Sequence, residues 1–287
     1  MEAFLTVIRR GSISAAAEEL YITQPALSRR IQTLEEELGY PLIQRQKGVR
    51  SVQLTAEGQA FLPLARKWQL LWKETSAIAD PRRRPVLNVS AVESVSLYVL
   101  PPVFQRFLAE EACRLSFHSY HSREVYSYME SGLMDLAFVT DQMYARGVRI
   151  DAAFSEPFVL VSAARIAGEG AIHPRQLAPE REVRFPWNQG YDDWHARWFD
   201  ESISPSVSLD QVSLLGCFLR EDSWAIVPRS MGEGLRGQGM RVFELLDGPE
   251  DRVIYSLVRE DTSGGPAERF LAYLKEELNR HKDTAEA

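Results

Sequence analysis

The chain reads as a small all-α winged helix-turn-helix head, a long linker helix, and a larger α/β domain built of two Rossmann-like halves. Three observations predict this. Residues 14–39 hold two short amphipathic helices around a tight break. Residues 55–79 repeat apolar side chains every 3.5 positions. From Val86 onward short apolar strands alternate with helical segments, the pattern of an α/β sheet, here expected to be mostly parallel.

In the first stretch Ser14 is placed as the cap of a helix running to Leu20, with Ala16, Ala17 and Leu20 on one face. Tyr21 to Thr23 form the break. Thr23 is a second N-cap, and Pro25 falls in the first turn, where a missing N–H costs nothing. Leu27, Ile31, Leu34 and Leu38 form the buried stripe of this second helix, and Gly39 ends it. Gln24, Ser28, Arg29 and Gln32 lie on its open side with small Ala26 among them. Glutamine can bridge adenine, arginine can grip guanine or a phosphate, and alanine or proline can touch a thymine methyl. Polar residues at the start of the second helix of such a pair are the reading face of a helix-turn-helix; the competing reading is a helical hairpin with a solvated face. The acidic run from Glu35 to Glu37 lies at the far end, away from phosphate.

Beyond Gly39, Arg45, Lys47 and Arg50 cluster around Gly48, and Val52 and Leu54 suggest a short returning strand. This predicts a wing with a basic tip, Arg50 being its groove or phosphate contact. Thr55 and Glu57 then open the long helix, in which Phe61, Ala65, Trp68, Trp72, Thr75 and Ala79 form a heptad seam flanked by Leu64, Leu71 and Ile78. Pro63 should bend it or loosen a turn. A dimer through this seam would set two reading helices roughly 34 Å apart, one duplex turn. The segment DPRRRP that ends at Pro85 reads as a hinge.

The 287 residues allow two or three compact units, and 45% hydrophobic with 25% charged content is ordinary for a globular chain. No apolar run approaches a membrane span and no export leader opens the sequence, which points to the cytoplasm. The net charge of −7 is unevenly spread: up to Arg84 there are 13 Lys and Arg against 9 Asp and Glu, so the excess acid lies behind a basic front. Cys113 and Cys217 sit in apolar surroundings and read as reduced core thiols.

The order A-A-x-x-L-x-I-T-Q-P-A-L-S-R-x-I-x-x-L-E-x-x-L-G-x-x-L, from Ala16 to Leu42, resembles the N-terminal signature of LysR-type transcriptional regulators. The resemblance implies base and backbone contacts at Gln24, Pro25, Ala26, Ser28 and Arg29, to which the reading above adds Thr23, Gln32, Arg45, Lys47 and Arg50. Ile43 stands where phenylalanine is usual. Family members carry about ten more residues ahead of the matched region, so translation starting upstream of Met1 is an open expectation, testable by the native mass.

In the α/β part, strands are expected at 86–92, 114–120 and 134–140, and a second series from Phe158 through REVRFPW, SVSL and SWAIVP. Helices are expected at LYVLPPVFQRF, REVYSYMESG, Tyr191 to Phe199 and from Asp210, with RVIYSLVRE and a helix from Pro266 to His281 closing the chain. This resembles, more loosely, the LysR effector domain, which is built like a periplasmic solute-binding protein; the landmarks are Leu100-Pro101, the SGxxDLA from Ser131, and Val227-Pro228. The domains are then a head over 1–58, a linker helix over 55–80, a hinge over 81–85 and an effector domain over 86–287. Its first half comprises 86–157 and 252–287, its second 158–251.

In such a fold ligands sit at strand ends and helix starts. The expected effector-binding residues are Glu93, Ser94, Ser96, His121, Ser122, Thr140, Trp187, Asn188, Ser208 and Asp210, each equally able to serve as a helix cap. Ser94 aligns with the serine or threonine that often holds the inducer in the family. Gly232, Gly234 and Gly237 spell G-x-G-x-x-G, but four residues separate them from their strand, so a mobile loop is expected instead of a dinucleotide site. Tyr191, Trp194 and Trp198 share a helical face and read as core. No metal-ligand spacing, serine elbow or converging catalytic set is present, so no cofactor, metal or enzyme activity is expected. The expected partners are promoter DNA, a small-molecule effector and a second copy (a dimer or dimer of dimers), with RNA polymerase a further candidate. A solute-binding protein without a role in DNA recognition is the alternative.

Overall fold

The structure is a computed structural model that describes residues 1–44, 52–76, 84–120, 122–163, 170–200, 202–220, 222–262 and 264–285. Contacts divide the chain into two compact units, one made of Met1–Arg84 with Glu130–Leu133, the other of the remainder.

The first unit begins with α1 (Glu2–Arg10), α2 (Ile13–Glu19) and α3 (Gln24–Leu38). The cap assigned to Ser14 belongs to Ser12, whose extended backbone lets its hydroxyl accept from the Ala15 N–H. The cause is Gly11, which ends α1 in the left-handed conformation at φ 65, so that α2 begins two residues earlier than a Ser14 cap would place it. Tyr21 at φ 52 makes the turn, Thr23 caps α3 by accepting from the Ala26 N–H, and Gly39 at φ 81 closes it, as expected. Phe4, Val7, Ala16, Ala17, Leu27, Ile31 and Leu42 make the core, with Leu34 and Leu38 packed at its edge.

β1 (Ile43–Gln44) and β2 (Gln53–Leu54) pair antiparallel, forming the base of the wing. Arg45, Lys47 and Arg50 lie outside the described residues. Glu35, read only as part of an acidic run kept away from phosphate, is buried, and its Oε1 accepts the N–H groups of Leu42 (2.8 Å) and Ile43 (3.1 Å). Glu35→Ala strips both amides of this partner and should cost the head about 1–3 kcal/mol, read as a lower denaturant midpoint of the head transition; an unchanged midpoint would remove Glu35 from this account.

α4 (Ala56–Ser76) starts at Thr55, whose hydroxyl accepts from the Gly58 N–H at 2.9 Å, and it runs unbroken through Pro63. A Cβ at Gly58 would meet the Leu42 carbonyl oxygen at 2.1 Å, which makes glycine necessary there. The heptad seam divides. Phe61 and Ala65 are buried in the head's own core, Phe61 against Phe4 at 5.6 Å, so they are not free for a partner. Trp68 (48% exposed) and Trp72 (60%) stack on each other at 5.6 Å and face solvent, with Leu64, Leu71 and Thr75 also exposed. Ile78, Ala79 and most of the hinge fall outside the described residues.

The second unit contains β3 (Val86–Ala91), α5 (Glu93–Tyr98), α6 (Leu100–Glu110), β4 (Arg114–His118), α7 (Ser122–Glu130), β5 (Leu136–Val139) and β6 (Val148–Glu156). There follow β7 (Phe158–Ser162), β8 (Val183–Arg184), α8 (Gln189–Trp198), β9 (Val207–Ser208), α9 (Leu215–Phe218), β10 (Trp224–Pro228), α10 (Arg229–Arg236), β11 (Arg241–Glu244), β12 (Arg252–Arg259) and α11 (Pro266–Ala285). One sheet has the order β4-β3-β5-β12-β6, and a second has β10-β7-β11.

The expectation of mostly parallel sheets is corrected. Only β3 pairs parallel in the first sheet, with β4 and β5, whereas β12 is antiparallel to β5 and β6. The second sheet is antiparallel throughout. β6 and β11 were not anticipated, because both are half-exposed edge strands without a continuous apolar run. The single helix expected after β3 is two, α5 and α6, and the helix expected from Asp210 starts two residues later as a 3-10 turn, Val212–Leu214. Phe107, Phe138 and Phe270 knit α6, β5 and α11 together.

Two further readings change. The glycine-rich segment is helical: Gly232 and Gly234 lie within α10, where an added Cβ would meet Val159 at 2.6 Å and Tyr98 at 2.4 Å. These glycines permit close packing and do not mark a mobile loop. Cys113 is buried as expected, but Cys217 is exposed at the end of α9. Tyr191 and Trp194 are core residues, and Trp198 packs edge-on against His173.

Candidate functional site

The head presents one polar face. Thr23, Gln24, Pro25 and Ala26 are exposed at the start of α3, with Ser28 partly covered and Arg29 and Arg30 exposed a turn later. Burial of Leu27 and Ile31 fixes this orientation, since residues adjacent to a buried helical stripe must point outward. Arg9 and Arg10 are ion-paired with Glu19. Arg29 has no ion pair among the described residues, which leaves its guanidinium available to an anion. Gln32 opens onto a groove lined by Glu36, Tyr40 and Gln44, away from the start of the helix.

In the second unit several of the expected residues have their side chains engaged by other residues of the protein. Ser94 is buried, and its hydroxyl accepts from Arg252 Nη1 at 2.9 Å. Arg252 Nε and Nη2 donate to Glu156 Oε1 at 3.0 and 2.7 Å. The other carboxylate oxygen accepts the Ser230 N–H that opens α10, at 2.8 Å. Trp187 lies under the guanidinium, 5.6 Å from it, and donates its indole N–H to the Ile226 carbonyl at 2.8 Å. Burial pulls the Arg252 pKa down, against the pull of Glu156. Glu156 and Arg252 were missed because each stands singly at the end of a strand, 96 positions from its partner, and nothing local marks either as paired.

Glu93 spans the same region: its carboxylate accepts the N–H groups of Val212 (2.7 Å) and Ser213 (3.2 Å), so a side chain from α5 holds the start of the turn before α9. Glu93→Ala should lower the stability of this unit by about 1–2 kcal/mol, read by urea unfolding; no change would mean that water replaces the carboxylate at no loss. The Ser96 hydroxyl is turned back onto the Glu93 carbonyl. Asn188 caps α8 by accepting from the Tyr191 N–H. Thr140 contacts Asp141, and Ser208, in β9, and Asp210 are both exposed. Ser122 opens α7, while its side chain, like all of His121, lies outside the described residues.

A second buried polar cluster was also missed. His195 and Tyr191 on α8 both reach the carboxylate of Glu182, at 2.8 and 3.4 Å. Burial beside that carboxylate raises the Tyr191 pKa well above the usual phenol range. Among the described residues no group of His, Cys, Asp and Glu could hold a metal ion, and no helix is long and apolar enough to cross a membrane.

A helix-turn-helix head with an open polar helix start, followed by an α/β unit of two sheets, is the architecture of a helix-turn-helix regulator carrying a sensing domain. Residues 1–59 match the family described as bacterial regulatory helix-turn-helix protein, lysR family, and residues 81–279 match the LysR substrate binding domain. The chain belongs to the LysR family. It is 31% identical to the HTH-type transcriptional regulator ClcR of Pseudomonas putida over 194 residues, 64% of each protein, so the match spans less than two thirds of that regulator. It is 28% identical to a probable nitrogen assimilation transcriptional activator of Synechococcus elongatus, covering 80% of this chain and 78% of the relative. The solved structure of CbnR, a LysR family transcriptional regulator, is similar at a TM-score of 0.70, 22% identity and 96% coverage of both chains. CbnR complexed with its target DNA gives 0.69, 22% and 97% of both. At that identity the likeness establishes the fold.

Proposed function

We propose that the chain is a LysR-type, sequence-specific transcriptional regulator in the cytoplasm. A small molecule held between the lobes of residues 86–287 modulates its grip on promoter DNA. The observation that carries this reading is the exposed polar start of α3 on a packed head. Gln24, Pro25, Ala26, Ser28 and Arg29 read base edges and flanking phosphate, Thr23 and Gln32 border them, and Arg45, Lys47 and Arg50 of the wing hold the backbone. Residues 1–58 form the DNA-binding domain, 55–80 the linker helix and 81–85 the hinge.

The exposed Trp68–Trp72 stack on α4 supports a homodimer through that helix, joined by Leu64, Leu71 and Thr75 and able to pair again into a tetramer. In this reading the effector binds beside Glu93, Ser94 and Trp187, the last two of which both touch Arg252, and shifts the population of head arrangements without chemistry. RNA polymerase is the partner through which promoter occupancy acts. The reading contains no catalytic step.

The test is a binding titration of the full chain against DNA adjoining its own gene, over a range of salt. The logarithm of the association constant should fall linearly with the logarithm of salt, with a slope near −0.9 for each phosphate neutralised. Salt-independent or absent binding would favour a solute-binding protein instead.

A further inference from the structure

Ser12 caps α2, so the Ser14 hydroxyl has no capping task. Ser14 is exposed on the first turn of α2, and its Oγ donates to Gln24 Oε1 at 3.4 Å. The two residues are ten positions apart and lie on the two helices of the helix-turn-helix. We propose that Ser14 is a positioning residue for DNA reading: it holds the Gln24 amide over the groove before DNA arrives. This rests on the assignment of Gln24 as a base-reading residue.

The physical argument concerns preorganisation. An exposed glutamine has three free torsions and among the largest rotamer entropies of any side chain, and fixing it on DNA subtracts from the gain of its base contact. A glutamine reads adenine through both amide atoms, the oxygen accepting and the nitrogen donating. The carbonyl oxygen has two lone-pair positions, so it accepts from Ser14 and still accepts from a base, while the NH2 group stays free. The 3.4 Å separation is long for an O–H···O bond, so the contact biases the side chain without locking it. Ser14 also lies in the first turn of the helix that crosses the DNA backbone in this motif, so it stands on the DNA side of the head.

The experiment is a double-mutant cycle on the full chain, with Ser14→Ala, Gln24→Ala, the double variant and Ser14→Thr. Each is titrated against the promoter fragment and against fragments carrying single base-pair substitutions through one half-site. Ser14→Ala should weaken binding about three- to tenfold, the effect of one net hydrogen bond. It should relax discrimination at the base pair where Gln24→Ala relaxes it. Ser14→Thr, which keeps the hydroxyl, should restore both to within about twofold, and the double variant should bind no more weakly than Gln24→Ala alone. The proposal is overturned if Ser14→Ala leaves affinity and discrimination unchanged, or if the two losses multiply. If Gln24→Ala is itself silent, the reading face has been misassigned and the positioning role falls with it. If Gln24→Ala is costly and the losses multiply, only the role of Ser14 is lost. Circular dichroism of each variant verifies that the head is folded, as the exposure of both side chains leads us to expect.

Discussion

Arg252→Met should cost the α/β unit about 3–5 kcal/mol, the loss typical of leaving a buried charge unpaired. Arg252 is 2% exposed and supplies three hydrogen bonds, two to Glu156 and one to Ser94. Methionine fills much of the volume and still packs on Trp187, but leaves the Glu156 carboxylate buried with the Ser230 N–H as its remaining donor among the described residues. The double replacement Arg252→Met with Glu156→Leu should recover much of that loss, since removing both charges also removes their desolvation. Urea unfolding followed by tryptophan fluorescence measures both variants. A single variant within about 1 kcal/mol of the parent would mean that water reaches Glu156 and that the network is not closed.

The second large effect is on DNA. Arg29→Ala removes an exposed guanidinium that has no ion pair among the described residues, and Gln24→Ala removes the exposed amide at the start of the same helix. Each should weaken specific binding by about 1–3 kcal/mol per half-site, and a dimer bears the loss twice. The two variants should differ in kind. Arg29→Ala should flatten the salt dependence if its contact is to phosphate, whereas Gln24→Ala should leave the slope unchanged and relax sequence preference. Equal loss on specific and random DNA for Gln24→Ala would contradict its place on the reading face.

What the sequence disclosed follows from the range of each interaction. The helix from Gln24 to Leu38 was legible because its determinants are local: the Thr23 cap, the Leu27–Ile31 stripe and the Gly39 stop all act within one helix. The cap of α2 was misplaced because Ser12 and Ser14 are both good caps, and only the left-handed Gly11 decides between them. Periodicity located the apolar stripe of α4 but not what covers it. Phe61 and Ala65 belong to the head, while Trp68 and Trp72 a turn further on remain exposed, and one heptad pattern describes both.

Glu35 shows a different limit. In an acidic run it resembles its solvated neighbours, and its role depends on two amides brought back by the turn after Gly39. In the α/β unit Glu93 opens α5 and Asn188 caps α8, but the distant partners of the side chains at helix starts were not visible. Glu93 meets amides 119 and 120 positions away, and Ser94 meets Arg252 158 positions away. The antiparallel return of β12 creates the meeting of Ser94 with Arg252, and an apolar strand does not announce its direction.

The claim on which the function depends is that two heads, coupled through α4, read neighbouring turns of one duplex. Hydroxyl-radical footprinting of the full chain on DNA adjoining its gene tests this most directly. The account predicts two protected patches on one face of the helix, their centres about 10–10.5 base pairs apart or a whole multiple of that, both weakened together by Trp68→Ala with Trp72→Ala. A single protected patch, bound equally well by that double variant, would contradict it.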